Sequence, residues 1–412
     1  MGKIGKVRRE SRRMEFMHSK FNRVIRSLTG AALVVSVAVA SFTGCTPAES
    51  QYTEGMRDGN DINTIETTEE TEPEATPTPT NTPTPTPSPT PAIPHMDMPD
   101  EDTTAPFFLT LPESVSVENG GDFDIQRHIG YIDDCDSNVE LTVDGEVDTS
   151  QDGSYALSLT ITDDAGNSKS GSMTVNVYTP SNSGGGGGGG GSSGHTTLAY
   201  SDFIDRYPAS DIAHGIDVSR YQGDIDFNAV KAAGCDFVML RAMIYNNGEL
   251  GEDRKFEEYY ADAKAAGLLI GVYYYSTDST IEMLHEHCDE LLAVLDGKEL
   301  DLPVAFDWES WAHFQKYQMS IIDINNLFYE FAGIMEENGY STILYSSKYY
   351  LEIIWEPAGY DVWLAHYVKE TSYEGDYTMW QTGSIGRIDG CDEDVDTDIL
   401  FKSRYPELFG GT

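Results

Sequence analysis

The chain has 412 residues, enough for two to four domains, and a formal charge of −43 that is unevenly spread. Nine of its 26 basic residues fall in the first 30 positions, and beyond them 17 bases face 67 acids. So acidic a body excludes nucleic-acid binding through phosphates, which needs clustered Lys and Arg, and five cysteines without a CxxC spacing indicate no metal site or disulfide framework.

In chain order, the basic start runs into Ala31 to Phe42, an apolar core too short for a comfortable membrane span, followed by Thr43-Gly44-Cys45. This is the pattern of an export signal over 1–44. Its ending, Phe42-Thr43-Gly44-Cys45, resembles a bacterial lipobox with Phe42 in place of the usual Leu. The resemblance implies lipidation of Cys45 and a membrane-anchored protein on the cell surface. An ordinary signal peptide, giving a secreted protein, and an uncleaved anchor are the alternatives.

Residues 45–101 are rich in Thr, Pro, Glu and Asp, with a Thr-Pro repeat from Thr76 to Pro91. Too few apolar side chains are present to offset the entropy of ordering, so the segment reads as a disordered, extended spacer. Over 102–180 the texture changes to short alternating runs such as Tyr155 to Ile161 and Met173 to Val177. Period-two runs at this spacing predict a small all-β sandwich. With its Asp133-Asp134-Cys135-Asp136 loop and its Asp163-Asp164-Ala165-Gly166-Asn167 turn, the segment resembles bacterial Ig-like repeats, which implies a spacer or binding module. The loop acids can be calcium ligands or solvated turn residues, and the second reading is preferred. Gly184 to Gly191 then dominate a flexible linker over 181–211.

From 212 to 409 strand and helix alternate. Expected strands are 214–219, 237–242, 268–275, 302–309, 342–345, 362–367, 378–381 and 395–399, and the principal helices are 255–266, 281–295 and 321–338. The two longest gaps between strands hold helices, but the last third holds too few for a regular eightfold array. The fold class is therefore α/β, an irregular TIM-like (β/α) barrel preceded by the sandwich and linkers.

The candidate chemistry lies at the C-terminal ends of these strands. Asp307 and Glu309 are one residue apart at the end of an apolar run, so in a strand they share one face about 7 Å apart at the Cα atoms. Asp217 ends the first strand, and Gln381 and Asp396 lie on the last two. A barrel brings all five to one mouth, and paired carboxyls there suit glycosidic cleavage, where one protonates the leaving oxygen and another supports the positive sugar ring. Tyr221, Tyr273, Tyr275, Trp308, Trp363 and Trp380 stand beside them, as sugar-stacking surfaces or as packing.

His214 to Phe227, Gly271-Val272-Tyr273-Tyr274-Tyr275-Ser276, Phe306-Asp307-Trp308-Glu309, and Trp380-Gln381 ahead of Val395-Asp396-Thr397-Asp398 resemble the successive motifs of glycoside hydrolase family 25, the Chalaropsis-type lysozymes. The resemblance implies an irregular β/α barrel that cleaves the β-1,4 bond between N-acetylmuramic acid and N-acetylglucosamine in peptidoglycan, with no metal or other cofactor. Glu309 matches the general acid, Asp307 the second essential carboxylate, and Asp217 and Asp396 the other acids of the cleft. Asp307 either attacks the anomeric carbon or orients the substrate's 2-acetamido group to do so. Departures are His366, where Gln is common, and the acidic loop Gly390 to Asp394. The expected partner is the peptidoglycan glycan strand, met by a monomer. A catalytically inactive wall-binding or adhesin protein is the alternative, against which the presence of all four acids argues.

Overall fold

The computed structural model describes residues 93–180, 197–246 and 248–410. The expected signal segment with Cys45, most of the Thr/Pro-rich spacer and the Gly run lie outside the described residues. Among the described residues, no helix is long and apolar enough to cross a membrane.

Six strands build the first part: β1 (Phe107–Thr110), β2 (Ser114–Glu118), β3 (Gly130–Ile132), β4 (Glu140–Asp144), β5 (Gly153–Thr162) and β6 (Ser168–Tyr178). One sheet has the order β2-β6-β5-β4, and β1 pairs with β3 in a second. Leu157, Leu159 and Ile161 on β5 and Met173, Val175 and Val177 on β6 alternate inward and pack with Ile129 and Tyr131. Period-two patterning thus sets the face that is buried. At three residues, β3 is too short to register as a periodic run.

The second part opens with β7 (Leu198–Ala199) and α1 (Tyr200–Arg206). Strands β8 (Ile212–Val218), β9 (Phe237–Asn246), β10 (Glu249–Glu252), β11 (Leu269–Ser276), β12 (Val304–Trp308), β13 (Thr342–Ser347), β14 (Asp361–Ala365), β15 (Met379–Arg387) and β16 (Val395–Phe401) follow. Helices α2 (Phe227–Ala232), α3 (Phe256–Ala266), α4 (Ile281–Leu295), α5 (Ile321–Glu337) and α6 (Lys348–Ile353) fill the connections from β8 to β14, and α7 (Pro406–Phe409) comes last. Strand order β8-β9-β11-β12-β13-β14-β15-β16 returns to β8, so the sheet closes on itself. All pairings around this ring are parallel except those of β16, which is antiparallel to both neighbours.

Local chemistry fixes these elements. Thr280 caps α4 through Met283 N–H, a Ser320/Asp323 capping box starts α5, and Gly267 ends α3 at φ 74°. Along the strands, Met239, Ala305, Ile343 and Trp363 fill the barrel interior, whereas Val238, Leu240, Phe306, Leu344 and Leu364 face the helices. Both faces are buried, which explains the nearly continuous apolar runs in the sequence.

Two stretches read as linker are in fact packed. Leu198–Ala199 pairs with β15, and Tyr200 and Phe203 of α1 are buried against the barrel. Met96, within the expected spacer, is buried, and its backbone exchanges hydrogen bonds of 2.8 and 3.1 Å with the Asn326 amide. Each stretch offers only a few apolar side chains, too few for periodicity to reveal.

The sandwich also docks on the barrel rather than standing apart from it. Leu109 and Ile132 join the apolar layer that continues into the barrel's outer shell. The first N–H groups of α5 lack intrahelical partners, and those of Ile321 and Ile322 donate to the carbonyls of Asp133 and Asp134 at 2.9 and 3.1 Å. Gln315, in the 3-10 segment Trp311–Tyr317, donates to Gln126 Oε1 and the Ile129 carbonyl, both at 3.1 Å.

Candidate active site

Strand register gathers the polar side chains. Asp217 on β8 is the Cα partner of Asp396 on β16, and Asp307 on β12 is flanked by Tyr275 on β11 and Tyr345 on β13. Cross-strand partners point to the same face, so these residues, with Glu309 just past the end of β12, share one mouth of the barrel. Because β16 runs antiparallel, its beginning reaches the same end as the C-termini of the others.

Gln381 ties the far side together. Its Nε2 donates to Asp217 Oδ2 at 2.8 Å, while its Oε1 accepts from the hydroxyls of Tyr345 and Tyr367, both at 2.8 Å. This arrangement fixes which way the amide faces and holds Asp217 in place. Asp307 is buried, and its Oδ1 has no hydrogen-bond partner among the described residues. One carboxylate oxygen is therefore free to accept a proton or a substrate N–H.

Electrostatics divide the acids. Loss of solvation pushes Asp217 up to about 6, against the hydrogen bond from Gln381 and the positive charge of Arg241. Glu309 is raised to about 7, first by desolvation and then by the charge of Asp217, against a hydrogen bond with Tyr345. The Glu309 side chain is exposed at the mouth, yet Asp217, Asp307, Tyr275 and Tyr345 crowd it, so its carboxyl is poorly hydrated. Asp307 and Asp396 are raised well above ordinary carboxyls, by desolvation first and then by their acidic neighbours. Four carboxyls this close cannot all ionise together, so the cluster retains protons near neutral pH.

The aromatic expectations divide. Tyr221 is 65% exposed, with the Arg241 and Arg220 guanidinium carbons 5.1 and 5.3 Å from its ring centre, and offers an open face at the rim. Tyr273 and Tyr275 line the mouth near the acids. The three tryptophans read as substrate-binding require correction. Trp308 is fully buried on the outside of β12, with its indole N–H on the Asp278 carbonyl at 3.0 Å and Trp311, Phe314 and Tyr317 around it. Trp380 likewise faces outward, onto Tyr207, and donates to the His366 carbonyl at 2.9 Å. Trp363 points inward but lies beneath the acids as a floor, edge-on to Tyr273 and Tyr345. Alternation explains the first case: if Asp307 and Glu309 face in, Trp308 between them must face out.

Several residues of the site were not anticipated. Tyr345, Tyr367 and Arg241 reach the acids, and Arg241 is held by buried Asp253 through contacts of 2.6 and 2.7 Å. Asp398 is fully buried, is raised well above an ordinary carboxyl by desolvation and then by the charge of Asp217, and accepts from Trp363 Nε1 at 2.8 Å. Its spacing of two from Asp396 was the available signal, because residues i and i+2 of a strand share a face. Replacing Trp363 by Phe removes the donor from a buried carboxyl and leaves a void. Urea unfolding of Trp363→Phe is expected to show a loss of roughly 2–4 kcal/mol. A loss under about 1 kcal/mol would mean that the floor is not built this way.

A closed strand barrel with clustered carboxyls at one mouth belongs to the glycoside hydrolase class of site. The particular family follows from sequence comparison: residues 216–391 match the profile of glycosyl hydrolases family 25, and the chain carries a domain of that family. Residues 108–177 match the Ig-like domain of bacterial surface proteins. Over 203 residues the chain is 29% identical to the autolytic lysozyme of Clostridium acetobutylicum, covering 48% of this chain and 58% of that protein. It is 26% identical over 215 residues to the uncharacterized protein YegX of Escherichia coli O6:H1, covering 50% of this chain and 76% of YegX. Among solved structures, a family 25 glycosyl hydrolase from Bacillus anthracis aligns at TM-score 0.41 and 21% identity, over 48% of this chain and 94% of that one.

Proposed function

We propose that this protein is an exported lysozyme, an N-acetylmuramidase that cleaves the β-1,4 bond between N-acetylmuramic acid and N-acetylglucosamine in peptidoglycan. The observation that carries the proposal is the placement of Asp307 and Glu309 on one face at the barrel mouth with Asp217 beside them, the environment raising Glu309 to about 7. Similarity to an autolytic lysozyme supports the choice of polymer.

In this reading Glu309, protonated near neutral pH, gives its proton to the leaving glycosidic oxygen, and its exposure to the mouth lets it reach a bound strand. The unpartnered Oδ1 of Asp307 accepts the N–H of the substrate's 2-acetamido group and turns that group toward the anomeric carbon. Direct attack by Asp307 is the competing route through the same residue. Asp217, held by Gln381 and ionised above about 6, adds the negative charge that favours a positive sugar ring. Glu309 later withdraws a proton from the incoming water and returns to its starting state. Tyr221 supplies a stacking face at the rim. The signal segment and Cys45 would place the enzyme outside the cytoplasmic membrane as a lipid-anchored or secreted monomer.

Reducing-end release and turbidity loss on purified peptidoglycan, comparing the parent with Glu309→Gln, test the proposal. Release by the parent that is lost in the variant is expected. A folded parent that releases nothing from several walls across acidic to neutral pH would contradict it and leave a wall-binding role.

A further inference from the structure

Two of the sandwich's loop acids are not the solvated turn residues that composition suggests. Asp133 is fully buried and Asp163 is 6% exposed. Three separate segments bring them together: Asp102 ahead of β1, the β3–β4 loop with Asp133, Asp134 and Asp136, and Asp163 at the β5–β6 turn. Ligand atoms of Asp102, Asp136 and Asp163 lie within 4.8 Å of one another, and so do those of Asp102, Asp133, Asp134 and Cys135, with Asp102 common to both groups.

Half of each buried carboxylate is already used. Asp133 Oδ1 accepts the N–H groups of Cys135 and Asp136 at 3.0 and 2.9 Å, and Asp163 Oδ1 accepts that of Asn167 at 2.7 Å. The other oxygens, Asp133 Oδ2 and Asp163 Oδ2, are buried with no hydrogen-bond partner among the described residues. Among the described residues, no Lys or Arg forms a salt bridge with any of the five acids. Buried carboxylate oxygens with neither donor nor countercharge are costly, and a cation is the group that satisfies both needs.

We propose that Asp102, Asp133, Asp134, Asp136 and Asp163 form a calcium-type divalent cation site at the joint between the sandwich and the barrel. The all-oxygen donor set selects a hard cation. Several carboxylates supplied by three loops suit the flexible coordination of calcium by six to eight oxygens better than the strict octahedron of magnesium, which keeps several waters. Cys135 Sγ lies beside this group, but a soft sulfur donor does not suit a hard cation and is left out of the ligand set.

The position gives the site a purpose. Asp133 and Asp134 use their carbonyls to cap α5, the helix that follows the Asp307/Glu309 strand and its 3-10 segment. A cation that fixes the β3–β4 loop therefore fixes how the sandwich is held against the catalytic barrel.

The test is titration of the full chain, stripped with chelator, with calcium chloride alone and separately with magnesium chloride, followed by calorimetry and thermal unfolding. Saturable calcium binding with a Kd of roughly 10⁻⁵–10⁻³ M, weaker magnesium binding and a melting temperature raised by several degrees in calcium are expected. Asp163→Asn should weaken calcium binding at least tenfold. If that variant misfolds, the half-buried Asp102→Asn decides, with the same tenfold loss expected. Absence of saturable binding and of any melting shift in the parent at about 10 mM calcium, well above this affinity range, would overturn the site. Folded variants that bind calcium as the parent does would also overturn it.

Discussion

Glu309→Gln is expected to lower kcat on peptidoglycan by roughly 10²–10⁴-fold with little change in KM, because proton donation to the leaving oxygen matters in the transition state and not in the bound substrate. The amide keeps the shape of the side chain but cannot give up a proton. The pH profile supplies an independent check. A general acid works only while protonated, so the parent's rate should fall as pH rises through about 7, the value to which desolvation and Asp217 push Glu309. Stability should fall over the same range. Glu309 has a raised pKa in the folded chain, so the stability it confers is complete below its unfolded pKa of 4.5 and is lost as pH rises through about 7. The variant has no charge to desolvate, and above pH 7 it should melt higher than the parent, with the gap closing in acid. An inactive variant that also melts lower at every pH would point to damage to the fold rather than loss of an acid.

Asp307→Asn should lower kcat by a comparable margin, roughly 10²–10³-fold, while the protein stays folded, since a buried amide replaces a buried carboxyl without a countercharge. The two routes through Asp307 predict different residual chemistry. If the substrate's acetamido group attacks, a cyclic analogue of the resulting intermediate should inhibit the parent and lose affinity for the variant. If Asp307 itself attacks, a small external nucleophile such as azide should restore turnover to the variant. Near-parental activity on peptidoglycan would remove Asp307 from the mechanism.

Much of the barrel is legible in the residues. The run at Val304 to Phe306, the ends of α3 and α4 and the paucity of helices after β14 all follow from apolar period, caps and glycine. Proximity in sequence was a poor guide to the aromatic lining. Trp308 and Trp380 adjoin Asp307 and Gln381 along the chain but lie on the opposite face of their strands, and Trp363 supports the floor. Tyr345 and Arg241 carry no local mark of function, since a Tyr or Arg at a strand end becomes part of a site through the register of its neighbours. The loop acids of the sandwich show the same limit. Turn composition argues for solvent, yet Asp133 and Asp163 are buried, and the Asp133 carbonyl accepts from the first turn of α5.

The most direct test of the central claim is the identity of the new reducing end. Purified peptidoglycan digested by the full chain is reduced with borohydride, hydrolysed and analysed for amino sugar alcohols. Cleavage on the proposed bond makes N-acetylmuramic acid the new reducing sugar, so muramitol is expected, and none from the Glu309→Gln control. Glucosaminitol instead would contradict the proposed bond, and neither alcohol from a folded parent would contradict glycan cleavage altogether.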